Sequence, residues 1–283
     1  MNISKVAKLF KGLYFRYNDD EVPALAAELA YYLLLSFFPF IILLVTIVGT
    51  SYISNKQILD ELARLVPQQA FIVIRDTIDT AGKAANSGII SIGVLTTVWA
   101  ASNGLSAVIR ALNKAHDVKE ARSFWKVKAV AVISTIALAF VILISFVLLI
   151  FGEFIGGYLV NWLNGTTVLY IIWNIVRYTI MLLVIGIIFA MLYRFMPCCR
   201  MKWREVAPGA IFATVGWISA SLGFAVYVNN FVNYSKVYGS IGGAIVLMLW
   251  LYLSAIIIIV GGELNGYLAF HREGKDKPIG KKY

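Results

Sequence analysis

Five long stretches without a single charged side chain limit what this sequence can fold into more than any motif does. Between Glu28 and Lys56 lie 27 uncharged residues, between Lys83 and Arg110 26, between Lys128 and Glu153 24, between Glu205 and Lys236 30, and between Lys236 and Glu263 26. A helix rising 1.5 Å per residue needs roughly 20 apolar residues to cross about 30 Å of hydrocarbon. All five runs meet that length. A sixth stretch, 168–193, meets it too but carries Arg177 in its interior. Soluble domains have about 25% charged residues, whereas this 283-residue chain has 14%, with 60% hydrophobic residues and a mean hydropathy of +0.80. The expected fold is all-α: a polytopic membrane helical bundle, one membrane domain with six transmembrane helices over 29–53, 87–109, 129–152, 168–193, 207–229 and 240–266.

Lysine and arginine positions set the expected orientation. With the N-terminus inside, 19 of the 25 basic residues fall on the inner side, in 1–27, Arg110 to Lys128, Arg194 to Arg204 and the tail 271–283. Cytoplasmic segments carry such an excess, so both termini are expected in the cytoplasm. The same distribution accounts for the net charge of +10. A nucleic-acid binder would interleave bases with aromatics on one soluble surface, so no nucleic-acid partner is expected. Anionic lipid headgroups at the cytoplasmic face are the expected partners.

The N-terminal lysines do not open a signal peptide, because the polar break YNDDEVPA at 17–24 precedes an apolar run far longer than an h-region. Residues 1–27 instead read as an interfacial amphipathic helix, with a new helix beginning near Pro23. Apolar residues at helical spacing on both sides of Pro67 suggest short amphipathic helices capping the outer side over 54–86.

Cys198 and Cys199 are adjacent in an expected cytoplasmic loop, and His116 and His271 lie in separate segments. No HExxH, CxxC, GxSxG or phosphate-loop spacing is present. No metal, cofactor or catalytic residue is assigned.

The intramembrane polar residues carry the functional information. Arg177 comes nine residues after Val168, roughly 13 Å deep at 1.5 Å per residue. A cation there costs about 2.5–3.5 kcal/mol or more unless it faces protein, water or an anion. Glu28 and Glu263 stand at the inner ends of the first and sixth spans, Glu153 at the outer end of the third, and Asn103 and Asn174 within spans two and four. One reading is that these groups pair and staple the bundle. The sharper reading is a polar cavity lined by Glu28, Asn103, Glu263 and Asn265 with Arg177 deeper, in which Glu28, Glu263 and Asn265 form an inner gate.

Small residues recur at Gly209, Ala213, Gly216, Ala220 and Gly223, and as GxxxG pairs at Gly239/Gly243 and Gly262/Gly266. They allow close helix contacts, either within the chain or in a homo-oligomer. Pro39 is expected to kink the first span.

The segments LAYYLLLSFFPFIILL (29–44), WAASNGLSAVIRALNKA (99–115), APG (207–209) and YGSIGGAIVLMLWLYLSAIIIIVGGELN (238–265) resemble the YihY/BrkB family of bacterial inner-membrane proteins. The resemblance runs from about residue 20 to 270. Its pattern falls on Ser36, Pro39, Ser102, Pro208, Gly209, Tyr238, Gly239, Trp250, Gly262, Glu263 and Asn265. Proteins of this kind have carried a ribonuclease BN label and a virulence-factor label; the residues here supply no ligand set for the former. The expected function is a transporter, or a permease that translocates a lipid or other amphiphile. A structural or assembly protein of the cell envelope is the alternative, and a membrane-embedded enzyme the third class.

Overall fold

A computed structural model describes residues 3–49, 87–141, 144, 167–231 and 242–272, and in them all regular structure is α-helical. Seven helices are present among these residues: α1 (Ile3–Asp19), α2 (Val22–Gly49), α3 (Ser87–Ala115), α4 (Phe124–Val141), α5 (Thr167–Phe195), α6 (Trp203–Phe231) and α7 (Gly242–Arg272). The expected outer helices over 54–86, as well as Glu153, Tyr238, Gly239 and the end of the basic tail, lie outside the described residues.

Length and apolarity let α4, α5, α6 and α7 each cross a bilayer, and α2 and α3 run 28 and 29 residues. Their surfaces agree with that role. α5 exposes Ile171, Ile175, Leu182, Leu183 and Ile187, α6 exposes Ile211, Val215 and Leu222, and α4 exposes Ile133 and Phe140. Helices satisfy their own backbone hydrogen bonds, which is what lets such a greasy exterior sit in lipid. The molecule is a helical membrane bundle.

α7 is its axis. It packs against α6, α2 and α3, while α2 lies along α3, α5 lies on α6, and α1 leans on one end of α7. The fully buried side chains Leu29, Ile109, Leu112, Tyr193, Val206 and Ile259 gather toward that same end. Arg16, Lys114, Arg122, Arg194 and Arg272 also lie there, which makes it the basic end of the bundle.

Local chemistry explains where the helices break. α1 stops at Glu21, which takes a left-handed φ of 52°, and Glu21 O accepts the first amides of α2 from Ala24 and Leu25. Pro23 then stands in the first turn, where its missing N–H is harmless. α3 ends in a complete Schellman closure: Asp117 has φ 55°, its N–H donates to Lys114 O at 3.1 Å, and Val118 N–H donates to Asn113 O at 3.0 Å.

Midway along the α6–α7 seam, two tryptophans each donate a hydrogen bond to a serine on the opposite helix. Trp217 of α6 donates to Ser254 Oγ (3.1 Å), Trp250 of α7 donates to Ser221 Oγ (3.3 Å), and their rings meet edge-to-face at 5.8 Å. The small-residue stripe of α6 serves the same seam at Gly209, Ala213 and Gly216, the last against Ile257, but a Cβ at Gly223 would meet nothing.

Candidate functional site at the basic end

The motif GGELN occupies the last turns of α7, and its glycines, Glu263 and Asn265 between them meet α1, α3, α5 and α6. Glu263 is 1% exposed, and its Oε2 accepts a hydrogen bond from Arg16 Nε at 2.9 Å. Arg16 comes from α1. It is 3% exposed, lies 5.4 Å over the Phe270 ring, and also donates through Nη2 to Ala115 O. Ala115 is the last residue of α3, whose terminal carbonyls have no partner within the helix. Arg16 therefore caps α3 and neutralises Glu263 at once, joining three helices through one guanidinium.

Asn265, also 1% exposed, bonds to α6. Its Oδ1 accepts from Gly209 N–H at 2.7 Å and its Nδ2 donates to Val206 O at 3.2 Å. Between those two stands Pro208, inside the helix, which has no N–H to give and pushes its ring against the preceding turn. The side-chain amide spans this weak point in the backbone ladder. Two parts of the sequence pattern, APG and GGELN, thus form one contact.

The glycines set how closely the helices meet. A Cβ at Gly209 would strike Gly261 O and the Asn265 amide, one at Gly261 the Tyr193 hydroxyl, one at Gly262 the Leu112 side chain, and one at Gly266 Ala115 O. Tyr193 itself is fully buried and donates to Ile258 O at 2.8 Å. The Gly262/Gly266 pair accordingly serves a seam within the chain.

The remaining polar residues have separate partners. Glu28 pairs with Arg110, so it does not join Glu263 and Asn265 in the expected grouping. Asn103 Oδ1 accepts from Lys128 Nζ at 2.6 Å. Ser36 and Ser102 bond back to their own helices, at Leu33 O and Trp99 O. Arg177 is 8% exposed and its guanidinium lies 5.6 Å from the Tyr178 ring. Asn174 is half-buried on the same helix. Pro39 stands within α2.

The loops at this end are knit as well. Asn113 donates to Glu120 Oε2 (2.8 Å) and accepts from Cys198 N–H (2.7 Å), while Arg122 holds Glu120 and donates to Met196 O at 2.9 Å. The Arg122 guanidinium, outweighing partial burial, pulls the Glu120 carboxyl down to about 2, and Glu120 raises Arg122 in return. Burial pushes the Cys199 thiol up, which favours the protonated form.

The sequence pattern marks Glu263, Asn265 and Gly262 but not Arg16, Lys128 or Tyr193. Arg16 was legible in one respect. It follows Leu9 and Leu13 at helical spacing, on the face of α1 turned to protein.

Residues 13–282 match the family described as Virulence factor BrkB. The ribonuclease-like protein YfkH of Bacillus subtilis is 40% identical over 258 residues, covering 91% of this chain and 94% of that one. UPF0761 membrane proteins of Alteromonas mediterranea and Pseudoalteromonas atlantica are 28% and 27% identical, covering 92% and 95% of this chain and 87% and 90% of theirs. No solved structure matches. With its apolar helices and a match spanning nearly its whole length, this multi-pass bacterial membrane protein belongs to the BrkB family.

Proposed function

We propose that the chain is a permease for an anionic amphiphile, described here in a conformation closed at its basic end. Arg177 carries the reading. Its neighbours Ile175, Val176, Tyr178 and Ile180 are all exposed, whereas Arg177 is 8% exposed, so the cation is turned toward protein in the middle of a lipid-facing helix. Such a placement is costly, and a transport path or bound anion is a common reason for retaining it. The Arg16–Glu263 pair is the inner gate, replacing the gate of Glu28, Glu263 and Asn265.

The reading takes six spans and cytoplasmic termini, as the basic residues indicate. Exposed Lys8, Lys11, Phe10 and Tyr14 then put one face of α1 against anionic headgroups. Among the described residues no group of three His, Cys, Asp or Glu side chains could hold a metal ion.

The test is translocation of fluorescent phosphatidylglycerol in proteoliposomes, comparing the native chain with Arg177→Ala. Faster translocation than in empty vesicles, lost in a folded Arg177→Ala, supports the permease. Equal rates in both proteins refute the role of Arg177.

A scaffold role is the second reading. Glu28, Asn103, Glu263 and Asn265 each have a protein partner, as expected of a staple. Native chain that moves no lipid, while Glu263→Ala unfolds, favours it.

A further inference from the structure

We infer that the open face of α3, between α2 and α4, is a binding site for the headgroup of an anionic phospholipid, with Lys128 as its phosphate ligand. The inference rests on the permease reading for its use, though not for the binding itself.

The face is graded like an amphiphile. Leu95 and Trp99 are 70% and 61% exposed, and at helical spacing beyond them come Asn103, Ser106 and Arg110. One helix face thus changes from apolar to polar toward the basic end, the order in which acyl chains and headgroup of a lipid lie. Neighbouring helices repeat the gradient. On α2, exposed Leu35 and Tyr31 lead to Glu28, and on α4 exposed Ile136 leads to Lys128.

Ordinary lipid-facing helices also become polar at the interface, where a lysine extends its ammonium into water. Lys128 does something else. Its Nζ donates to the Oδ1 of Asn103 at 2.6 Å, and Asn103 lies seven residues, roughly 10 Å, further into the helix than Arg110. Among the described residues no carboxylate pairs with Lys128. The ammonium of half-buried Lys128, with three N–H donors and one neutral acceptor, has capacity left for an anion. Arg110, 51% exposed at its side chain, stands at the mouth, where Glu28 holds it and offsets its charge. The excess positive charge of the face is therefore at Lys128, deep enough to meet a phosphodiester whose tails remain in lipid. Free inorganic phosphate would have to leave water without tails to anchor it.

The experiment is native mass spectrometry of the full chain from detergent micelles supplied with equal phosphatidylglycerol and phosphatidylcholine. The native chain is expected to retain phosphatidylglycerol preferentially. Because a charge-assisted contact is worth about tenfold in affinity, Lys128→Gln should reduce that preference at least about fivefold, and Lys128→Arg should keep most of it. Amine labelling of Lys128 in the native chain gives a second readout independent of any variant; phosphatidylglycerol should slow it and phosphatidylcholine should not. No preference in the native chain, an unchanged preference in Lys128→Gln, or labelling indifferent to phosphatidylglycerol would each overturn the inference. Displacement of the lipid by inorganic phosphate alone would overturn the lipid as ligand. Retention is measured without flux, so a chain that binds here yet translocates nothing separates this site from the permease reading.

Discussion

Removing either partner of the Arg16–Glu263 pair should destabilise the protein far more than removing both. Charge centres about 4 Å apart attract by about 4 kcal/mol at an effective dielectric of about 20. Desolvation costs several kcal/mol for each ion, so the intact pair contributes little net stability. Losing one partner is different, because both side chains are almost wholly buried, at 4% and 1% exposure. Glu263→Leu leaves Arg16 with the Ala115 carbonyl and the Phe270 ring; Arg16→Met leaves a carboxylate enclosed by helices. Each single change should cost about 3–5 kcal/mol. The double variant loses the pair cleanly but also the cap on Ala115, worth about 1 kcal/mol, so it should cost no more than about 2 kcal/mol. Equilibrium unfolding of the three variants in mixed micelles closes the double-mutant cycle. Single variants costing under about 1 kcal/mol, or a double variant costing the sum of the two, would refute the argument.

Asn265→Ala strands the Gly209 amide and Val206 carbonyl around Pro208, and the same unfolding measurement should register a loss of about 2–3 kcal/mol. Gly209→Ala and Gly262→Ala should differ in whether they can be rescued. The former meets a backbone oxygen and stays destabilised by about 1–3 kcal/mol, while the latter meets the Leu112 side chain and should recover when Leu112→Ala is added, as read by thermal midpoints. Glu120 is lowered from 4.5 to about 2 by Arg122, so its contribution is complete above pH 4.5 and disappears as pH falls toward 2. Thermal midpoints between pH 6 and pH 3 should fall more steeply in the native chain than in Glu120→Gln.

Charge-free runs made the helical membrane architecture legible, because crossing hydrocarbon constrains composition directly. Glu263, Asn265 and Gly262 were also legible as a unit from the residues at 261–265. Their partners were not. Helical spacing identifies the face on which Arg16 stands but not which of several helix ends that face will meet, since contacts across 247 residues leave no periodic trace. Lys128 was hidden for another reason: as one of many basic residues at the expected inner boundary it looked like part of the topological signal. Only the direction of its side chain, toward Asn103, sets it apart.

Among the described residues Arg16 lies in the first helix and Glu263 near the end of the last. During synthesis the carboxylate leaves the ribosome long after the arginine, so this clasp can form only once the final helix has been inserted. Until then Arg16 lacks its carboxylate partner and α1 lacks its contact with α7. The protein thereby has a built-in mark of completed assembly, since a chain truncated before α7 would leave the guanidinium of Arg16 without its buried carboxylate.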